Sequence, residues 1–214
     1  MRLTANLTFT IPRDDAEKQR PRIFRRCEIV YGMRGLSTLR EGLVDAAHTC
    51  IPAVQLPQTA RASGARSLVT LIDEGTPVSR PTGIAAEKHL ALILSDISIE
   101  TFGHTLPNDS HVEKLLAFVG RWDQAAPLLI HCFAGVSRST AAAFIAACAV
   151  IPHRDEAEIA LAVRRNSPTA TPNPRLVALA DKMLGRKGRM IAAIARIGRG
   201  VECSEAIPFA LELR

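Results

Sequence analysis

The sequence predicts an α/β fold in a single domain, with a central, largely parallel sheet flanked by helices. Two observations carry this expectation. Three short apolar, β-branched runs alternate with segments of helical period, the pattern of a sheet covered by helices. The third run is followed by an Ala-rich stretch that is apolar on every side, as a helix in a protein's centre is.

Along the chain the elements follow from local patterns. Residues 1–42 include Arg-Asp-Asp at 13–15 and Arg-Pro-Arg-Ile-Phe-Arg-Arg at 20–26 with no sustained period, so they read as an irregular or partly ordered N-terminal extension. The compact domain is expected over 43–214. Ser67–Ile72, entered from Gly64 and followed by Asp73-Glu74-Gly75-Thr76-Pro77, reads as a buried strand ending in a loop. His89–Leu94 and Pro127–His131 repeat that character. Between them, Ser110 with Glu113 three positions on forms a capping box. Val112, Leu115, Leu116, Val119 and Trp122 then recur at helical spacing, which makes Trp122 a packing residue.

Thr140–Ile151 is the buried helix, and Cys148 within it is an inert thiol. Further helices are predicted over 155–165 and from Pro174 to about Ile197, the second with a possible interruption at Gly185 or Gly188.

Composition removes several classes of function. With 47% hydrophobic and 22% charged residues the chain is an ordinary folding sequence of 214 residues. Its net charge of +6 is concentrated near residues 20–40 and 186–199 and reads as solvated basic surface. One Trp and one Tyr are too few for a base-stacking platform, so no nucleic-acid partner is expected. Five widely spaced cysteines, with no Cys-x-x-Cys pair and no clustered histidines, support neither a disulfide framework nor a metal site, and no cofactor is implied. Met1–Pro12 lacks a basic leader, and no apolar run reaches the roughly 18–20 residues that span a bilayer. A cytoplasmic protein with no membrane partner is expected; the oligomeric state is left open.

The chemistry is concentrated in His131-Cys132-Phe133-Ala134-Gly135-Val136-Ser137-Arg138-Ser139-Thr140. A strand ending at Cys132, a turn through Gly135 and a helix beginning near Ser137 set successive backbone N–H groups around a small anion-binding cavity, reinforced by the helix dipole. That environment favours thiolate over thiol at Cys132 and so supplies a nucleophile. Arg138 adds a planar, permanently charged fork matched to two phosphoryl oxygens. The Cys-x5-Arg spacing wraps one turn around a tetrahedral oxyanion, and no Walker-type Gly-Lys-Ser/Thr loop is present.

These residues resemble the signature of the protein tyrosine and dual-specificity phosphatases, His-Cys-x5-Arg followed by Ser or Thr. Over roughly residues 44–197 the chain looks like a small dual-specificity-type domain, similar to the bacterial tyrosine phosphatase-like proteins. The resemblance implies a phosphotyrosine-phosphatase-like fold in which Cys132 attacks phosphorus to form a phosphocysteine. It implies that Phe133, Ala134, Gly135, Val136, Ser137 and Arg138 cradle the phosphoryl group, that Ser139 eases departure of the thiolate, and that His131 orients the loop and favours the thiolate. It also calls for a general acid on a separate loop. Asp96, 36 positions before Cys132 and just after the His89–Leu94 run, is the candidate, with Asp109 and Glu100 as alternatives. Asn173, in Thr171-Pro172-Asn173, resembles the Asn that steadies the loop or the attacking water; it also suits the start of a helix at Pro174.

The loop side chains Phe133, Ala134, Val136 and Ser137 carry no charge, whereas relatives acting on inositol phosphates tend to place lysines there. The expected substrate is therefore a phosphotyrosine or dual-specificity phosphoprotein site in a shallow cleft, or else a small phosphoester. The competing readings are a phosphate-recognising binding module without activity, and a sulfur-transfer or arsenate-reducing enzyme.

Overall fold

A computed structural model of the protein describes residues 48–52 and 55–213. The expected extension, 1–42, lies outside the described residues. The elements in order are β1 His48–Pro52, α1 Leu56–Ser63, β2 Ser67–Ile72, β3 His89–Ile93, α2 Asp109–Gly120, β4 Leu128–Cys132, α3 Arg138–Val150, α4 Glu156–Asn166, α5 Pro174–Met183, α6 Arg189–Ile197 and β5 Phe209–Leu211. The sheet has the order β3-β2-β4-β1-β5. The first four strands in that order are parallel, and β5 closes the β1 edge antiparallel. This is the largely parallel sheet that the alternating runs predict.

Alternation along β2 and β4 divides the interior. Val69, Leu71, Leu128, Ile130 and Cys132 face the large core shared with α2 to α6. Leu68 and Leu129 face a smaller cluster closed by Leu56 and Ala60 of α1 together with Ile84. Every residue of α3 from Arg138 to Cys148 is buried, so the helix runs through the middle of the large core. Burial pushes the Cys148 thiol up to about 12, with the neighbouring Glu156 carboxylate acting in the same direction, and the thiol is inert.

The long C-terminal pattern is two helices. α5 stops at Met183, Gly185 turns through φ 64°, and α6 starts after Gly188 at φ 87°. Asp181 at the end of α5 fixes the join by accepting from the N–H groups of Gly188 and Met190. α2 also begins earlier than its sequence pattern indicates. Asn108, not Ser110, is the N-cap, and its box partner is His111, not Glu113: the Asn side chain accepts from the His111 N–H, and the His111 ring accepts from the Asn108 N–H. An imidazole nitrogen here fills the place a carboxylate usually takes.

Candidate active site

β4 ends at Cys132 and α3 begins at Arg138, and the loop between them turns at Gly135, whose φ of 75° is left-handed. The loop is tied from outside through its carbonyls. Thr171 N–H donates to Val136 O (2.9 Å), Asn173 N–H to Ser137 O (3.3 Å) and Ala206 N–H to Ala134 O (2.9 Å). The Thr140 hydroxyl lies 2.6 Å from Val136 O and 2.9 Å from Ser137 O. These bonds hold the loop by its carbonyls where it enters the start of α3, a helix N-terminus being an end that favours an anion.

Cys132 is 2% exposed, at the bottom of the loop. Its Sγ lies 3.0 Å from Ser139 Oγ on the first turn of α3. Arg138 is 4% exposed. Its Nη1 donates to Asp73 Oδ2 and to Leu94 O, both at 2.7 Å. Its Nε–H is buried and has no partner among the described residues, so the Nε edge of the fork is uncommitted. Buried N–H groups are rarely left so, and a bound oxyanion is the chemistry that fits one.

Asp73 is a residue that sequence reading passes over as part of a turn. Burial raises its carboxyl, but hydrogen bonds from Ser95 and Arg138 and the charges of Arg138 and His104 outweigh this and hold it below the ordinary carboxylate range. The signal that finds it is topological: β2 lies beside β4 in parallel, so the residue following β2 emerges at the same sheet end as Cys132.

His131 lies on the other side of the sheet from Cys132. Burial holds its ring down to about 4, so it is neutral at pH 7. Its Nδ1 lies 3.3 Å from Cys132 O, and its Nε2 lies 2.8 Å from Thr70 Oγ1, which is also 2.8 Å from His89 Nε2. A carbonyl only accepts, so Nδ1 carries the proton. Nε2 then accepts from the Thr70 hydroxyl, which accepts in turn from His89 Nε2–H. His131 thus holds the Cys132 carbonyl as a fixed dipole and adds no positive charge. Thr70 and His89 were not legible as partners because β2, β3 and β4 must first be set side by side.

Asp96 is exposed just beyond β3 and reaches the loop directly. Its Oδ1 accepts from Ser137 Oγ at 2.6 Å and from Asn173 Nδ2 at 2.9 Å, leaving Oδ2 without a protein partner among the described residues. Asn173 also caps α5, accepting from the N–H groups of Arg175 and Leu176. The side-chain amide thus caps the helix through Oδ1 and holds Asp96 through Nδ2, while the backbone N–H of the same residue reaches the loop at Ser137 O. The alternatives sit elsewhere: Glu100 is exposed further along the segment and Asp109 begins α2. A cavity of about 400 Å³ opens beside these groups, lined by Asp96, Val136, Ser137, Thr171, Asn173 and Arg199.

Arg199 belongs to a strap after α6 that no sequence pattern marks. Gly200 N–H donates to Thr171 Oγ1 (3.0 Å) and Val201 N–H to Pro168 O (2.9 Å), while Arg164 holds the carbonyls of Ile197 and Gly198. A side chain at Gly200 would collide with the Thr169 carbonyl, which is why glycine stands there.

The sequence matches no protein-family model and no curated protein. Among solved structures the chain has the fold of the dual-specificity and tyrosine phosphatases. It superposes on a mouse protein described as a dual specificity phosphatase, crystallised with zinc tungstate, at a TM-score of 0.52 and 19% identity, covering 74% of this chain and 98% of that one. Human DUSP28 in a variant form gives 0.52 and 20%, over 67% and 93%. DUSP15 gives 0.51 and 15%, over 73% and 93%. Among the described residues no helix is long and apolar enough to cross a membrane.

Proposed function

We propose that the chain is a phosphomonoester hydrolase acting through a phosphocysteine on phosphorylated protein side chains, with the region from residue 43 onward as its catalytic domain. The observation that carries this reading is the joint placement, in one loop, of Cys132 Sγ beside Ser139 Oγ and of the uncommitted Nε edge of Arg138.

In the first step Cys132 Sγ attacks phosphorus, the phosphoryl oxygens rest on the loop N–H groups and the Arg138 fork, and the P–O bond to the leaving group breaks. Asp96, held through Oδ1 by Ser137 and Asn173, gives the proton on Oδ2 to the departing oxygen. In the second step water attacks the phosphocysteine, Asp96 takes the water's proton, and the Ser139 hydroxyl donates to the sulfur as the S–P bond breaks. Phosphate leaves and the thiolate returns.

The test is hydrolysis of small aryl phosphates with a metal chelator present, by wild type, Cys132→Ser, Arg138→Ala and Asp96→Asn. Cys132→Ser is expected to be inactive; unchanged turnover would sink the reading. Asp96→Asn should slow esters with poor leaving groups more than those with good ones, because only the former need the proton. Equal losses on both would remove Asp96 from that role.

A further inference from the structure

Several of the side chains that this mechanism leaves unused around the mouth of the site are large, apolar and exposed. Phe102 is fully exposed, Ile99 and Ile207 are each 75% exposed, Val201 66% and Phe133 61%. The other exposed large apolar side chains among the described residues, Ile93, Leu161 and Ile191, show only 43%, 41% and 44%. Single exposed apolar residues are ordinary, but here the five most exposed lie on three segments that border the loop. Ile99 and Phe102 are on the segment that follows Asp96. Phe133 follows Cys132. Val201 and Ile207 are on the strap, on either side of Ala206, whose N–H is bonded to the loop at Ala134 O. Val201 also lines a cavity with Val136 and Arg199.

Charge narrows the partner. The chain as a whole is at +6, yet these two rim segments carry Glu100, Glu202 and Glu205 against Arg199 alone. Arg199 already faces Glu202 at 3.5 Å. The other nearby guanidinia, Arg164 and Arg175, are turned onto backbone carbonyls. Carboxylates in excess at the mouth repel an anionic bilayer surface and a nucleic acid backbone, and complement a basic side chain. The strap is fixed by its backbone hydrogen bonds before any partner arrives, so little ordering cost opposes docking there.

We propose that this rim docks the residues flanking the phosphorylated side chain of a polypeptide substrate, apolar ones beside it and a basic one beyond. The rim thereby decides which phosphorylated segments reach Cys132. The inference rests on the hydrolase reading for its substrate, but its test does not depend on turnover.

The experiment measures dissociation constants of the full-length Cys132→Ser chain for matched phosphotyrosine and phosphothreonine peptides flanked by Leu and Arg, by Ser and Gly, or by Leu and Glu. The Leu/Arg peptides should bind at least about tenfold tighter than the Ser/Gly peptides. Adding Phe102→Ser and Val201→Ser, both at exposed positions, should reduce that advantage to about threefold or less while small aryl phosphate turnover in the Cys132 background is unchanged. Adding Glu100→Lys and Glu205→Lys instead should move the preference to the Leu/Glu peptides. The same panel read as kcat/KM with Cys132 intact gives a second measure.

Equal affinities across the panel, or an advantage that survives the double serine variant, would overturn the proposal. So would tighter binding to phosphatidylserine vesicles than to any peptide, or a change of oligomeric state in the serine variant, which would assign the rim to a membrane or to a second copy. Absence of aryl phosphate hydrolysis would count against the hydrolase reading alone, since the binding panel would still decide the rim.

Discussion

Arg138 and Asp73, 65 positions apart in sequence, meet at 2.7 Å through Nη1, and the guanidinium so held keeps a buried Nε–H with no partner among the described residues. The Asp73 side chain is 41% exposed, so its value lies in aiming Arg138 rather than in the strength of an ion pair. Asp73→Ala should lower kcat/KM on aryl phosphates by about tenfold or more, with little change in thermal midpoint, measured by steady-state kinetics and melting side by side. Because the carboxyl is held below its ordinary value, its contribution to folding is complete above about pH 4 and is lost only as pH falls through the folded value. The difference in stability between wild type and Asp73→Asn should therefore be constant above about pH 4 and close in stronger acid.

Ser139 Oγ lies 3.0 Å from Cys132 Sγ, and in the proposed cycle its donation matters most when the thiolate leaves. Ser139→Ala should reduce kcat by about a hundredfold while the first step persists. Rapid mixing should then show a burst of leaving group equal to the enzyme concentration, and a phosphorylated cysteine trapped by acid quench. A variant with slow, burst-free release would place Ser139 elsewhere in the cycle.

The chain His89–Thr70–His131 predicts a stability effect with a definite sign. His131 takes up a proton near pH 6.5 when unfolded but only at about 4 when folded, so the unfolded state binds more protons between those values. Stability is full above about pH 6.5 and falls by about 3 kcal/mol as pH drops to about 4. Denaturant titrations across that range should show the loss, and His131→Asn should flatten it. Thr70→Val leaves the buried His131 Nε2 without a donor and should cost about 1–3 kcal/mol.

How much of this was open to a reader of the sequence depended on whether the cause was local. The runs at 67–72 and 127–131 declared β2 and β4 because strands buried on both faces must be continuously apolar, and the run at 89–94 declared β3 although that strand lies at the sheet edge and is only partly buried. β1 and β5 carry no such run, and α1, at eight residues with Pro57 in its first turn, is too short for a period to stand out. Within the site, the loop residues are contiguous and could be read together. Asp96 is singled out as a candidate only through the family resemblance, by its place just after the 89–94 run and 36 positions before Cys132. Asp73, Thr70 and His89 reach the site through strand adjacency, and the strap at 198–207 through hydrogen bonds of its backbone, neither of which leaves a residue pattern.

Far from the loop, Glu156 joins α4 to α6. Its carboxylate accepts from Arg186 Nη1 at 3.1 Å and from Arg189 Nε at 3.0 Å, and both Glu156 and Arg186 are buried. Burial raises the Glu156 carboxyl, while the Arg189 hydrogen bonds and the charges of Arg189 and Arg186 outweigh that and lower it. Glu156→Ala strands the Arg186 charge in the core and should cost about 3–5 kcal/mol at pH 7 by equilibrium unfolding. The sign again fixes the pH course: the carboxyl's contribution holds above about pH 4.3 and disappears as pH falls through its folded value, so the gap between wild type and variant should close in strong acid.

Helix α3 joins the loop after Cys132 to a cylinder with no solvent side from Arg138 to Cys148. Ala141, Ala142, Ala143, Ala146 and Ala147 are packed on all sides, so even an added methylene meets a neighbour. For a lineage carrying this chain, those eleven positions have no neutral direction in which to drift. A change large enough to retune the loop also threatens the fold. New specificity must instead accumulate at the exposed positions of the segment after Asp96 and of the strap. Sequencing a library selected for folding alone should find α3 nearly invariant and the rim diverse; selection for one phosphopeptide should narrow the rim and leave α3 as it was.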